Sequence, residues 1–312
     1  MLATPGALPA HDDQWAFEVK QDGQRATVYA GGDGSLLLRA RSGADITAAY
    51  PELAPLGDAL RGTPAVLDGE IVAFDDAGRA DFERLQSRMG LAGSPARAAR
   101  MASRVAVHLI LFDVVHLADR SLTGLPYADR RDLLEGLALR GDRWSTPAAI
   151  VGHGAEALET TRAAGLEGIL AKRLTSHYEP GTRSRSWIKI RHVATTDVVV
   201  GGWVPGRGRL DGRPGAVLVG EWSGDVLRYA GNVGTGWSDT ERAALAALLE
   251  ESATDVCPFE PKPPVAGARW VEPRLVAEVR YATRTRAGRL RQPSWHRLRP
   301  DLTPDDLARH RA

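Results

Sequence analysis

The 312-residue sequence lacks several features that would assign it to a specialised class of protein. It contains a single cysteine, Cys257, which excludes a disulfide scaffold and a cysteine-rich zinc site. No run of about 18 apolar residues occurs, so no membrane span is expected. The first residues lack the basic start and the apolar centre of a signal peptide, and we therefore expect a soluble cytoplasmic protein.

Net charge is nearly absent as well. The chain has 40 Lys plus Arg against 39 Asp plus Glu, so its formal charge is +1 and any attraction for nucleic acid has to be local. The apolar fraction of 43% and the charged fraction of 25% are those of an ordinary globular protein. A length of about 300 residues exceeds the usual single core and favours two domains.

Lysine is scarce in this sequence. Only four of the 40 basic residues are lysines, namely Lys20, Lys172, Lys189 and Lys262. Arginine stays protonated in proteins, whereas a lysine amine can lose its proton and attack an electrophile. A lysine retained in such a sequence can therefore mark a position where arginine cannot substitute. Mutational drift toward arginine explains any one lysine equally well.

The first 191 residues mix strand-like and helix-like segments. Asp-Gly turns between apolar alternations predict hairpins at 21–24 and 31–34. Helical spacing and strand-like runs follow each other further along the chain, with helices expected at 45–62, 81–103, 127–139 and 155–164 and strands at 64–74, 105–117 and 166–174. Antiparallel hairpins mixed with helices are typical of an α+β domain.

The pattern changes at residues 191–196. Short strands with glycine-rich turns follow, together with a helix predicted at 239–251 and a Pro-rich connection at 258–264. About five short strands and one helix in roughly 100 residues are typical of a small β-barrel of the OB type. We therefore predict one domain of residues 1–191 and a β-barrel domain of residues 192–312.

Four short motifs contain acids and bases at strand spacing. They read EVKQDGQR at 18–25, LDGEIV at 67–72, EGILAKR at 167–173 and WIKIR at 187–191. Alternation places Glu18 and Lys20 on one face of their strand. Each motif alone is weak, because a charged hairpin or an exposed edge carboxylate explains it equally well. Their order and separations, together with ARSGADITAAYPEL, LILFDVVHL and GRLRQPSW, are far more specific.

In this order the motifs resemble those of the ATP-dependent DNA ligases, and within them the bacterial ligase domain of the end-joining ligase D type. The resemblance covers nearly the whole chain. It implies a nucleotidyltransferase (adenylation) domain followed by an OB-fold β-barrel, with ATP and Mg²⁺ or Mn²⁺ as cofactors. The implied reaction seals 5′-phosphate to 3′-hydroxyl breaks in duplex DNA through a lysyl-AMP intermediate, in DNA repair or non-homologous end joining.

The resemblance also assigns roles to individual residues. The implied nucleophile is Lys20, the nucleotide-binding residues are Glu18, Arg25, Glu70, Phe112, Lys189 and Arg191, the contact to the DNA 5′-phosphate is Arg41, and the metal ligands are Glu70 and Glu167. Phe112 lies in the apolar run 109–117, where a phenylalanine is more often part of a hydrophobic core than of a nucleotide site. The implied partners are nicked or broken duplex DNA and separate end-joining polymerase, nuclease and end-bridging proteins. The chain is expected to be a monomer associated with the nucleoid.

Three positions depart from the family pattern. Gln21 stands where most relatives have an aromatic residue, and Arg191 stands where lysine is commoner. Leu302 stands where the C-terminal motif, here residues 299–302, generally ends in lysine. Because that motif orients the pyrophosphate through its charge, the resemblance implies slow self-adenylation.

Two arginine-rich windows predict DNA contacts. Residues 280–299 contain seven arginines and no acid, and residues 172–191 contain six bases and the single acid Glu179. Such windows neutralise phosphates without reading sequence, unless acids elsewhere in the fold balance them.

Two other interpretations of the sequence stay open. An RNA ligase or capping-type nucleotidyltransferase shares the lysyl-nucleotide step, but the downstream motifs, GRLRQPSW included, follow the ligase D pattern. A non-catalytic DNA-end-binding subunit is favoured only by Leu302, while the intact Lys20, Glu70, Glu167 and Lys189 argue against it. The eight histidines are scattered singly, and none is interpreted as a zinc ligand.

Overall fold

The computed structural model describes residues 1–285 and 287–309, except for the side chain of Arg309. The chain forms two compact units, Met1–Arg191 and His192–Ala312. The division falls directly after the last strand of the first unit. No helix within the described ranges is long and apolar enough to cross a membrane.

The strands of the first unit form two sheets. In chain order they are β1 (Leu2–Pro5), β2 (Trp15–Val19), β3 (Gln24–Ala30), β4 (Leu36–Ala40), β5 (Ala65–Val72), β6 (His108–Leu117), β7 (Arg120–Ser121), β8 (Arg140–Gly141), β9 (Trp144–Ser145), β10 (Ile150–Val151), β11 (Gly168–Arg173) and β12 (Arg183–Arg191). The small sheet has the order β1-β12-β11-β2-β10. The large sheet has the order β4-β3-β5-β6-β9-β8, with β7 paired to β6.

Three of the four helical segments predicted in the first unit, 45–62, 81–103 and 127–139, are shortened or divided, and the fourth, 155–164, keeps its length. They are α1 (Pro55–Ala59), α2 (Phe82–Gln86), α3 (Pro95–Ala102), α4 (Tyr127–Gly136) and α5 (Gly154–Ala163). The predicted helix at 45–62 is largely replaced by two 3-10 turns before α1, because Pro51 and Pro55 each start a new turn. The predicted helical region at 81–103 is divided into α2 and α3, and Gly90 adopts a positive φ of 75° between them.

One of the two predicted hairpins is confirmed and the other is wrong. The turn at 31–34 joins β3 and β4, which pair antiparallel. The Asp22-Gly23 turn instead carries the chain from β2 in the small sheet to β3 in the large sheet. Gly23 is required there, since a Cβ on it would lie 2.2 Å from the carbonyl oxygen of Ile71 in β5. The turn therefore joins the two sheets and does not pair its own flanking strands.

Strand β6 contains a β-bulge at Phe112. In β5 the consecutive residues Asp68 and Gly69 pair with Asp113 and Leu111 of β6. Phe112 is therefore the additional residue of β6. Leu111 and Val114 lie in the core of the large sheet. Phe112 and Asp113 do not enter that core, although the surrounding sequence is continuously apolar. The bulge therefore presents two adjacent side chains away from the core.

The second unit is a β-barrel with two helices in its described part. Its elements are β13 (Ala194–Pro205), β14 (Pro214–Ser223), β15 (Val226–Val233), α6 (Asp239–Glu251), β16 (Ala253–Thr254), β17 (Arg269–Tyr281), β18 (Thr283–Arg284), β19 (Leu290–Arg291), β20 (Ser294–Leu298) and α7 (Pro304–Arg309). The strand order is β15-β14-β13-β17-β16, with β20 paired to β17. The helix predicted at 239–251 is confirmed with the same bounds, and it begins with a capping box between Ser238 and Glu241. The terminal helix α7 was not predicted.

The buried Arg88 links three segments around the core of the large sheet. Its side chain is fully buried and donates two hydrogen bonds, of 2.6 and 2.9 Å, to the carboxylate of Glu52. It also donates to the carbonyl oxygens of Ala49 at 2.9 Å and Val105 at 2.5 Å. The guanidinium thus satisfies acceptors that would otherwise be buried without a partner.

We predict that Arg88→Met lowers the free energy of unfolding of the first unit by about 3–5 kcal/mol, because Glu52 and two carbonyls lose their donor. Urea unfolding followed by circular dichroism measures the change. Arg61→Met is the matched control, since Arg61 pairs with Asp58 on the surface, with both side chains more than 60% exposed, and should cost less than about 1 kcal/mol. Equal losses for the two variants would contradict this role of Arg88.

Candidate active site

A cavity of about 480 Å³ in the first unit is lined by both sheets. We call it the active-site pocket. The predicted site residues that line it are Glu18, Lys20, Arg25, Arg41, Glu70, Phe112, Lys189 and Arg191. The remaining one, Glu167, contacts Lys20 and Arg191 from beside the pocket. The structure therefore brings together every residue to which the resemblance assigns a role.

Lys20 lies at the end of β2 and is held by the neighbouring strand β11. Its backbone N–H donates to the carbonyl oxygen of Gly168 at 3.0 Å. Its Nζ forms an ion pair with one carboxylate oxygen of Glu167, and the Nε of Arg191 lies 2.9 Å from the other oxygen. Gly168 has a φ of 143°, and a Cβ there would lie 2.2 Å from the carbonyl oxygen of Ile190. The glycine of the EGILAKR motif therefore allows three strands to approach closely around the lysine.

Glu18 is neutralised by a buried lysine below the pocket. The Nζ of Lys172 lies 2.8 Å from Glu18, and the hydroxyl of Tyr127 donates to the same carboxylate oxygen. Lys172 also donates to the carbonyl oxygen of Phe112 at 3.0 Å, and its Nζ lies 4.5 Å from the ring centroids of Phe112 and Trp187. Burial lowers the pKa of the Lys172 amine, although Glu18 and Asp113 oppose this.

Arg25 is held by a carboxylate that sequence analysis did not single out as a site residue. Its Nε and Nη2 donate to the two oxygens of Asp68 at 2.9 and 2.5 Å. The hydroxyl of Tyr178 donates to Asp68 at 2.6 Å. Arg25 also lies 5.6 Å from the centroid of the Phe112 ring. This network fixes one end of the Arg25 guanidinium, while its side chain still lines the pocket.

Glu70 differs from the other acids of the site because its carboxyl has no hydrogen-bond or ion-pair partner in the described part of the chain. Burial raises its pKa to about 8, although Lys20 and Arg25 nearby oppose the shift. Such an acid is stabilised when a cation or a hydrogen-bond donor reaches it. Glu70 is therefore available to a ligand.

Basic side chains concentrate on the β12 side of the pocket. Desolvation and the neighbouring Arg191 and Arg183 lower the pKa of the Lys189 amine. Like charges held this close favour the binding of an anion. Arg41 follows β4 at the pocket edge and is exposed. The pocket therefore suits a ligand that carries several phosphates and an apolar ring facing Phe112.

The prediction of DNA contacts by the two arginine-rich windows is wrong for Lys172, whose side chain is fully buried. The sequence predicts a surface base at this position because charge alone does not reveal burial. In the window 280–299, Arg284 pairs with Glu221 and Arg297 with Glu278. Arg299 pairs with two acids, Asp197 and Asp301. Arg286 lies outside the described residues.

The residues that sequence analysis missed lie below the pocket surface. Lys172, Asp68 and Tyr127 position Glu18 and Arg25 and are themselves buried. The scarcity of lysine was the signal that could have identified Lys172. Asp68 directly precedes Gly69 in the LDGEIV motif, but nothing in the sequence indicates that it faces Arg25 on β3.

Comparison with known proteins decides the family. Residues 3–191 match the family described as "ATP dependent DNA ligase domain", and residues 211–302 match its "C terminal region". The chain belongs to the ATP-dependent DNA ligases. It is 42% identical, over 99% of its length, to the multifunctional non-homologous end joining DNA repair protein LigD of Mycobacterium tuberculosis. It is 33% identical, over 92% of its length, to LigD of Pseudomonas aeruginosa.

Solved ligase structures share the fold. The ligase domain of M. tuberculosis LigD is 41% identical, with a TM-score of 0.56, and the match covers 98% of this chain and 96% of that domain. A Lig E DNA ligase, 22% identical, has a TM-score of 0.62. The predicted fold, a nucleotidyltransferase domain followed by an OB-fold region, is confirmed. The chain spans 39% of the length of M. tuberculosis LigD and 34% of P. aeruginosa LigD.

The side chains of the pocket fit a divalent cation that is shared with a phosphate ligand. No group of three or more His, Cys, Asp or Glu side chains suited to a metal occurs within residues 1–285 and 287–309. Mg²⁺, however, is usually bound by one or two carboxylates together with water and substrate phosphates. The carboxylates that would hold such an ion are Glu70, which lines the pocket, and Glu167, which is paired with Lys20 and Arg191 beside it.

We predict that Glu70 makes the stability of the ligand-free protein depend on pH. Between pH 4.5 and about pH 8 the Glu70 carboxyl keeps its proton in the folded protein but has lost it in the unfolded chain. The free energy of unfolding should therefore fall as the pH rises through this window, and Glu70→Gln should reduce this fall. Urea unfolding at about pH 5 and about pH 8, without metal or nucleotide, measures the difference. Glu159→Gln, at an exposed position where the partner is Arg162, is the control and should keep the wild-type slope.

Proposed function

We propose that this chain is an ATP-dependent DNA ligase that seals 5′-phosphate to 3′-hydroxyl breaks in duplex DNA through a lysyl-AMP intermediate. The observation that supports this most directly is the position of Lys20, whose amine lies in a pocket with Glu70, Lys189 and Arg191. An amine among bases that bind phosphates, beside an acid that has no hydrogen-bond or ion-pair partner among the described residues, is suited to attack on a nucleotide.

The first step would join Lys20 to AMP. The Nζ of Lys20, after losing a proton, attacks the α-phosphorus of ATP, so that a P–N bond forms and the P–O bond to pyrophosphate breaks. Lys189 and Arg191 would stabilise the charge on the α-phosphate in the transition state. Phe112 would stack on adenine, while Glu18 and Arg25 would orient the nucleoside. Because Lys20 is paired with Glu167, this contact has to break before the attack.

Two transfer steps would follow. The 5′-phosphate of the DNA attacks the phosphorus of lysyl-AMP, the P–N bond breaks, and AMP becomes joined to the DNA. The 3′-hydroxyl then attacks the DNA phosphate and AMP leaves. Arg41, exposed at the pocket edge, would contact the DNA phosphate. Glu70 and Glu167 would hold Mg²⁺ or Mn²⁺, which supplies positive charge to the phosphates.

We further propose that the ligation serves non-homologous end joining, with separate polymerase, nuclease and end-bridging proteins as partners. The similarity to LigD, which is described as a multifunctional end-joining protein, supports this. This chain matches only part of LigD, so the remaining functions would come from other chains or segments. We propose residues 1–191 as the adenylation domain and residues 192–312 as the OB-fold domain. In the OB-fold domain, Leu302 in place of lysine is one reason to expect slow adenylation. The pairing of Arg299 with two acids is a second reason, because these acids offset its positive charge.

The first test concerns the nucleophile. Lys20→Arg should abolish the covalent AMP adduct although the positive charge is kept, because a guanidinium does not lose its proton. Incubation with ATP and Mg²⁺ followed by intact-mass spectrometry measures the adduct. Lys262→Arg, at one of the few other lysines, is the control and should react like the wild type. An AMP-sized increment on the Lys20→Arg variant would refute the assignment.

The second test separates sealing from activation. Arg41→Ala should form the adduct at the wild-type rate, because Arg41 contacts DNA and not ATP. It should seal a nicked duplex about tenfold more slowly, which corresponds to about 1.4 kcal/mol. Transfer of radiolabelled AMP from protein to DNA, followed by gel analysis, measures both steps, and Arg61→Ala serves as the surface control. An equal loss of both steps would place Arg41 at the nucleotide.

A further inference from the structure

A second cavity, of about 580 Å³, lies in the first unit near the amino-terminal end of β6. We call it the Phe74 cavity. Its polar and aromatic lining consists of two rings, three arginines and two acids, namely Phe74, His108, Arg84, Arg104, Arg143, Asp76 and Asp142. It shares no lining residue with the active-site pocket, and the function derived above does not use it. Its volume is within the range of small-molecule sites.

Two aromatic rings form one wall of the cavity. The ring centroids of Phe74 and His108 lie 5.9 Å apart, and Phe74 is 37% exposed although it is large and apolar. His108 is fixed by a 2.8 Å hydrogen bond between its Nε2 and the hydroxyl of Ser145. Burial lowers the pKa of the His108 ring. The wall therefore offers a partly exposed aromatic ring that contacts a second ring fixed by a hydrogen bond.

Guanidinium groups line the cavity beside these rings. The side chains of Arg104 and Arg143 make no hydrogen bond or ion pair within the ranges that the structure describes. Arg84 is instead held in place, because it pairs with Asp76 at 2.8 Å and donates to the carbonyl oxygen of Phe74 at 3.0 Å. An aromatic face next to unpaired arginines is the arrangement that stacks a base and binds its phosphate.

The two cavities lie along the same strand. Ile110 and Phe112 line the active-site pocket, and His108, two residues before Ile110, lines the Phe74 cavity. Alternation along β6 places these three side chains on one face of the sheet. Four residues of strand span about 14 Å, which corresponds to about four stacked nucleotides of one DNA strand. A DNA strand that crosses the active-site pocket can therefore reach the Phe74 cavity.

We propose that the Phe74 cavity binds an unpaired nucleotide of the DNA, a few positions from the break that is being sealed. Phe74 stacks on the base, and Arg104 and Arg143 bind the adjacent phosphates. The inference rests on the proposed ligase function and extends it to substrate choice. Broken ends that are joined without a perfect template contain unpaired bases, and a fully paired nick does not. The cavity would thus let the enzyme accept imperfect junctions.

The test uses nicked duplexes with one additional 2-aminopurine nucleotide, placed at successive positions from the nick in either strand. With the wild type, binding should quench the fluorescence most strongly about three to five positions from the nick. Phe74→Ala should remove this quenching and slow the sealing of that duplex roughly tenfold. Sealing of the fully paired nick should change less than about twofold. Tyr29→Ala, at an exposed aromatic position of the large sheet, is the matched control.

A second variant tests the phosphate contacts. Arg104→Ala combined with Arg143→Ala should weaken binding of the same duplex about tenfold, whereas the control Arg97→Ala with Arg100→Ala, at exposed positions of α3, should not. Unchanged quenching in Phe74→Ala would overturn the proposal, and so would an equal loss of sealing on the paired nick. Equal quenching of the free 2-aminopurine nucleotide would identify a mononucleotide site instead. If the wild type fails to seal the paired nick, the ligase proposal fails, while the quenching still tests the cavity.

Discussion

The active-site pocket depends on one close contact between two backbones. At Gly23 even a methyl group would collide with the carbonyl oxygen of Ile71 and with the side chain of Glu70. The segment before Gly23 belongs to the small sheet, and Ile71 belongs to the large sheet. This contact therefore sets the separation between Lys20 on one sheet and Glu70 on the other. The glycine of the EVKQDGQR motif is therefore required for the two sheets to approach each other, and not only for the local turn.

Charged side chains below the pocket differ from those on its surface in whether they have oppositely charged partners. Below the surface each charge has a buried partner, as Glu18 has in Lys172 and Asp113 has in Arg130. Such pairs contribute little net stability, but removing one member is costly, so they hold side chains in fixed positions. On the surface, Glu70 has no partner within the described ranges, and Lys189 lies among like charges. The carboxylates of Glu18 and Asp113 are therefore paired without a ligand, whereas the carboxyl of Glu70 is not paired within the described ranges.

Sequence reasoning succeeded where the signal is local. The helix at 239–251 was predicted with its bounds because its capping box and apolar spacing lie within the segment itself. The hairpin at 21–24 failed because an Asp-Gly turn indicates a reversal and does not indicate which strand will pair. Lys172 was misassigned because burial depends on Glu18 and Tyr127, which are distant in sequence. The set of site residues came from the resemblance, and their separate contacts could not be deduced from spacing.

The bulge at Phe112 limits how the length of β6 can vary. With the additional residue in place, Leu111 and Val114 both enter the core, while Phe112 and Asp113 stay outside it. Deleting Phe112 or Asp113 would restore regular alternation and keep Leu111 and Val114 in the core, but the strand would then present only one of these two side chains outside it. Insertions and deletions of a single residue should therefore be excluded from this strand, although the loops that flank it can tolerate them. Any redesign of the pocket has to exchange side chains on β6 without changing its residue count.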